Sequence, residues 1–194
     1  ARMRNLAATM ASLSVITLLG GFMAREVLTQ LPTLGYQTAI LTVILSSLST
    51  LLTPLSSAVG APSYIPPSNT AQHLGLLPVV AWIIGGIVAG LVTRKAKESV
   101  IPSLLTATIT YLTVVGLAAY TLPRIPNAIN WENYLTWLAN QIILDGPMNF
   151  LMLFALPLVS ALVTSSIVES TAPEPVIRPV VVRRKRYWDW PDDE

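Results

Sequence analysis

Residues 77–93 read LPVVAWIIGGIVAGLVT, a run without a charged side chain that carries small residues at Gly85, Gly86, Ala89 and Gly90. An apolar run of this kind is expected to cross hydrocarbon as a helix, since about 20 residues at 1.5 Å each match a core about 30 Å thick. Gly86 and Gly90 stand one turn apart, in G-x-x-x-G spacing. Small residues so placed let a second helix approach closely and gain van der Waals contact, which replaces the hydrophobic drive that lipid removes. The spacing leaves open whether that helix belongs to this chain or to another subunit.

The rest of the chain supports the same class. Of 194 residues, 53% are hydrophobic and 11% charged, and mean hydropathy is +0.60. An ordinary soluble domain carries roughly a quarter charged residues. The expected fold is an all-α integral membrane protein: a bundle of about five transmembrane helices, one interfacial amphipathic helix and an extended charged C-terminal tail. The spans are expected at 5–24, 36–57, 77–93, 100–122 and 148–168. Residues 5–24 have a rival reading as a signal peptide because Arg2 and Arg4 precede them, but Phe22 would occupy the −3 position of a cut after Ala24. Between Glu26 and Arg94 there is no Lys, Arg, Asp or Glu. Within that tract Pro54, Pro62, Pro66 and Pro67 mark a loop, because proline lacks the amide a helix needs.

Residues 130–144 read differently from the spans. Trp131, Tyr134, Leu135, Leu138 and Ile142 share one helical face, polar residues occupy the rest, and Asn130 suits an N-cap. The expectation is a helix on the membrane surface, anchored by Trp131, Tyr134 and Trp137 at headgroup level. A sixth span is the alternative.

Residues 1–168 thus form the expected membrane domain, and 169–194 form a tail that is proline-rich and blocked by charge sign. Arg183, Arg184, Lys185 and Arg186 are followed by Tyr187, Trp188 and Trp190 among acids. Basic clusters beyond a cytoplasmic span end are drawn to anionic lipid, and arginine with aromatics also anchors protein interfaces. The tail is expected to dock either anionic lipid or a soluble cytoplasmic partner. The acidic end argues against nucleic acid. With five spans, Arg25, the connector Arg94 to Lys97 and the tail share the cytoplasmic face, which places the C-terminus inside and the N-terminus outside. Arg2 and Arg4 conflict with that placement.

Little in the sequence points to chemistry. There is one histidine, His73, and no cysteine. Neither G-x-S-x-G nor paired aspartates in spans occur, and no ionisable residue lies well inside a span, as ion-coupled carriers usually require. Neither an enzyme nor a cofactor or metal site is expected. Hydroxyls at Ser46, Ser47, Ser49, Thr50, Thr106, Thr108, Thr110 and Thr113 either line a polar path or bond back to the preceding turn, which is the commoner use.

Ala7 and Ala11 repeat the small-residue spacing in the first span. In this the first span resembles the small substrate-capture subunits of energy-coupling factor vitamin transporters, whose N-terminal helix meets a coupling subunit through such a motif. The likeness covers about 20 residues, and the basic and aromatic tail is no part of that pattern. The functional expectation is a non-catalytic accessory or structural subunit of a larger complex in the cell membrane, packed on partner subunits through Gly86 and Gly90. The alternative is a small transporter, or the substrate-binding component of one, for a neutral ligand.

Overall fold

The computed structural model describes residues 2–25, 36–141 and 147–172. Those residues are mostly helical: α1 (Arg2–Met23), α2 (Tyr36–Ser49), α3 (Pro54–Ala58), α4 (Leu77–Thr93), α5 (Ala96–Thr121), α6 (Trp131–Ala139) and α7 (Pro147–Thr171). A two-residue antiparallel hairpin, β1 (Ser63–Tyr64) with β2 (Ala71–Gln72), lies in the proline-rich loop. Three helices are long and apolar enough to cross a membrane: α1, α5 with its 3-10 extension to Arg124, and α7. The other two apolar helices, α2 and α4, are shorter.

The 36–57 stretch, expected as one span, is broken. Pro54 disfavours helical backbone at Thr53, which sits at φ −120° and ψ 57°, and a separate short helix starts at the proline. α5 begins earlier than expected, taking Lys97 and Glu98 into its first turn, and Pro102 lies inside the helix.

α4 occupies the middle, between α7 on one side and α1 on the other, and α5 closes the bundle against α1, α2 and α7. Ile16, Leu45, Leu51, Trp82, Val114 and Leu153 form its buried core. Trp82 also donates its indole N–H to the Leu51 carbonyl at 2.8 Å, so its polar atom is satisfied where it is buried.

Contacts at the helix ends fix the direction of each. Arg4 pairs with Glu98, and the Ala96 amide donates to Glu169 at 3.1 Å. The start of α1, the α4–α5 connector and the end of α7 therefore meet at one end of the bundle, the basic end. The proline-rich loop, the end of α1 and the start of α7 meet at the other, the loop end. This corrects the expectation that separated the N-terminus from the connector. Arg4 sits beside the connector because α1 and α5 run in the same direction, each from the basic end to the loop end.

At the loop end, α6 starts where the sequence suggested. The Asn130 side chain caps it, accepting the Glu132 amide at 2.9 Å. The helix ends at Ala139 and continues as a π turn through 140–141; residues 142–146 lie outside the described residues. Tyr134 is not an outward anchor, because it is fully buried with Leu138 against the core. Trp131 remains exposed, whereas Trp137 is half-buried, stacked on Tyr134 at 5.8 Å and edge-on to Tyr64 at 5.3 Å.

Burial pushes the Tyr134 phenol above its ordinary pKa, and the Ser49 hydroxyl offsets part of this, approaching without meeting hydrogen-bond geometry. A buried hydroxyl without a partner carries an uncompensated desolvation cost. Tyr134→Phe is therefore expected to leave thermal stability in detergent unchanged or raised, by up to about 1 kcal/mol. Tyr134→Ala should cost about 3–5 kcal/mol through the cavity it leaves. Thermal unfolding of the two variants checks this, and a clear loss for Tyr134→Phe would show that the hydroxyl is bonded.

Candidate functional site

The residues singled out from the sequence fall in three places. The first is the seam between α4 and α7. A side chain at Gly86 would collide with Ser160 and approach the Pro157 carbonyl oxygen to 2.5 Å; one at Gly90 would meet the Ala161 oxygen at 2.6 Å. The two helices run in the same direction, and four residues along α4 match four along α7. Gly86 and Gly90 are therefore filled by this chain's own last helix. On the opposite side Gly85 faces Ile16 and accepts the Ser12 hydroxyl at its carbonyl, 2.9 Å away. Both small-residue faces of α4 are occupied within the molecule, and the partner interface expected at Gly86 and Gly90 is not open.

The second place is α1. Its inward stripe is Ala8, Ser12, Ile16 and Gly20, with Gly20 against the Ser47 carbonyl. Ala7 lies on the other side, exposed, with Ala11 half-buried beside it. Around them Met3 is 85% exposed, Leu6 65%, Met10 59% and Leu18 75%, so this face packs on nothing among the described residues.

The third place is the loop end. A cavity of about 440 Å³ opens between Phe22, Met23 and Arg25 at the end of α1 and Gln72, His73, Leu74 and Leu77. The Arg25 guanidinium lies 5.3 Å from the Phe22 ring centre. His73 Nδ1 is 3.1 Å from the Gly60 carbonyl oxygen. A cation, an amide and an imidazole offer hydrogen bonds to a polar ligand, and no carboxylate lines the cavity among the described residues.

Under the loop lies a polar junction that sequence reasoning missed. Asn149, buried near the start of α7, accepts the Ser56 amide at 2.9 Å and donates to the Gln141 carbonyl at 2.9 Å and to the Ser56 hydroxyl. It ties α3, the end of α6 and α7 together. The available signal was a lone amide in an otherwise apolar run, 148–168. Thr53 and Ser57 both meet the Ser63 hydroxyl at 3.0 Å.

The span hydroxyls mostly bond back to their own helix. Thr42, Ser46, Ser47, Ser103, Thr106 and Thr108 each donate to a carbonyl four residues earlier, at 2.7–2.9 Å. They satisfy themselves rather than presenting donors to a path. Thr110 is buried with no hydrogen-bond partner among the described residues. The docking residues Arg183, Arg184, Lys185, Arg186, Tyr187, Trp188 and Trp190 lie outside the described residues.

Comparison with protein-family models, with curated proteins and with solved structures finds no match for this chain.

Substituting Gly86 should break the α4–α7 seam. Gly86→Leu is expected to cost at least 1–3 kcal/mol, roughly the range for overpacking, because the obstacle is partly Pro157 backbone. At Gly116 an added side chain meets nothing, and Gly116→Leu should hold or raise stability, by about 1 kcal/mol at most. Melting temperatures in one detergent compare the two, and equal stability would mean the seam is not closed.

Proposed function

We propose that this chain is a multi-pass protein of the cell membrane that serves as a non-catalytic accessory or structural subunit of a larger assembly. The observation that carries the reading is the outward face of α1, where Ala7 lies among the exposed apolar side chains Met3, Leu6, Met10 and Leu18. Small and apolar residues together suit a second helix in lipid. With Gly86 and Gly90 engaged internally, partner contact moves from α4 to α1, and the Arg183 to Trp190 segment remains the proposed dock for a soluble partner or anionic lipid. The interior hydroxyls bonded to their own helices support a scaffold rather than a conduit.

The basic end is proposed to face the cytoplasm. Arg2, Arg4, Arg94, Lys95 and Lys97 gather there, and cytoplasmic segments carry the excess of such residues. Because the chain has no cysteine, single-cysteine variants label cleanly. In sealed vesicles Lys97→Cys and Ser170→Cys should react from one side with a membrane-impermeant reagent, and Thr70→Cys from the other. Labelling of Lys97→Cys and Thr70→Cys from the same side would sink the membrane placement.

The subunit reading is tested by extraction from the native membrane in mild detergent, followed by identification of everything that travels with the chain at fixed stoichiometry. Ala7→Trp, on an exposed face, should preserve the monomer's melting temperature while lowering partner recovery at least fivefold. Gly116→Leu, at an open position on α5, should leave recovery unchanged. Unaltered recovery with Ala7→Trp would rule out α1 as the contact.

A second reading, the substrate-binding component of a transporter, rests on the loop-end cavity with Arg25, Gln72 and His73. It requires a small polar ligand that raises thermal stability in the unmodified chain and fails to do so in Arg25→Gln.

A further inference from the structure

The outer side of the α4–α7 seam is a groove. Ile83 and Ile87 of α4 face Val159 and Val163 of α7 across an apolar cavity of about 560 Å³. Further along the same two helices a second cavity, of about 480 Å³, lies between Leu91 and Arg94 on one side and Val168 and Thr171 on the other. The α4 residues follow one stripe: Ile83, Ile87 and Leu91 are one turn apart, and Arg94 ends it as the helix cap in left-handed conformation at φ 58°. From Ile83 to Arg94 the rise is about 16 Å at 1.5 Å per residue, close to half of a hydrocarbon core about 30 Å thick. The groove is therefore apolar over the depth of one leaflet and cationic where headgroups begin.

The charges around Arg94 favour an anion. Of the two carboxylates at this end among the described residues, Glu98 pairs with Arg4 and lies 4.0 Å from Lys95, and Glu169 accepts the Ala96 amide. Arg94 is exposed and takes part in no ion pair among the described residues. An arginine fork matches phosphate oxygens in geometry as well as charge.

We infer that the α4–α7 groove is a binding site for an anionic phospholipid, with an acyl chain along Ile83, Ile87, Val159 and Val163 and the phosphate on Arg94. The inference rests on the membrane reading above but not on any partner subunit. A protein helix would also cover an apolar groove, but it has no general reason to bring a negative group to Arg94, whereas an anionic lipid carries one at the required depth.

The test uses the full chain in detergent, titrated with phosphatidylglycerol or with phosphatidylcholine of the same acyl chains, and read by native mass determination and thermal stability. Phosphatidylglycerol should bind at least fivefold more tightly. Arg94→Gln should reduce that preference to less than twofold, and Val163→Trp, on an exposed position, should weaken both lipids. Arg25→Gln at the opposite end, and Lys97→Gln beside the site, should each change the preference less than twofold. Equal affinity for the two lipids, or an unchanged preference in Arg94→Gln, would overturn the site. Equal stabilisation by inorganic phosphate alone would reduce it to a surface anion contact and remove the acyl groove. Loss of a co-purifying protein from Val163→Trp with lipid binding intact would assign the groove to a partner helix instead. Failure of the membrane reading is seen separately, as recovery of the chain in the soluble fraction without detergent.

Discussion

Where α4 passes α7, Gly86 and Gly90 let one backbone approach Pro157 and Ala161 of the other, with Ser160 and Thr164 in the space a side chain would take. Everything else in the bundle is arranged around that approach. Because the two helices run the same way and in step, the end of α7 reaches the connector after α4, where the Ala96 amide meets Glu169. Gly85, on the other side of α4, admits Ile16 and Ser12 of α1, so one short helix holds two long ones. The order α1, α4, α7 across the molecule follows from small positions facing two ways, Gly85 toward α1 and Gly86 with Gly90 toward α7.

Apart from Thr110 and Tyr134, the buried hydroxyls obey the constraint that such a group finds a hydrogen-bond partner. Within helices the acceptor is the carbonyl one turn back, which is why so many serines and threonines are tolerated without a path between them. At the loop end the chain cannot use that solution, because prolines break the helices. There Asn149, Ser56, Ser57, Ser63 and Thr53 bond across elements instead, and α6 packs Tyr134 and Leu138 into the apolar core. The loop end is thus a built cap with polar joints, and the basic end is a cluster of charges on helix termini.

These two ends divide the functional possibilities. A cavity with Arg25, Gln72 and His73 opens on the capped side, whereas the groove between α4 and α7 runs toward Arg94 on the charged side. The outward face of α1 is apolar except at Ser14, whose hydroxyl bonds back to the Met10 carbonyl. The scaffold proposed above needs a rigid interior and distinct outer surfaces; Gly86 and Gly90 are enclosed, and Ala7 is left outside.

By itself the sequence determined that long apolar helices dominate, because uncharged runs at 5–24, 100–122 and 148–168 can satisfy their backbone polar groups within a helix while burying their side chains. The break at Pro54 follows from local backbone chemistry, yet the span expected at 36–57 runs through that proline, and the helix already ends at Ser49. The Asn130 cap was legible for the same local reason. Which small residues face inward was decided only by the tertiary structure: Ala7 and Ala8 are adjacent and equally small, and only the position of α4 selects Ala8, Ser12 and Ile16. Tyr134 and Trp131 looked alike as anchors until the packing of α6 enclosed one and exposed the other. The shared end of Arg4 and Glu98 was likewise invisible in a count of runs, since spacing records how long each helix is and not which way it runs. Local propensity is written residue by residue, whereas facing and direction are properties of pairs of helices and exist only once both are in place.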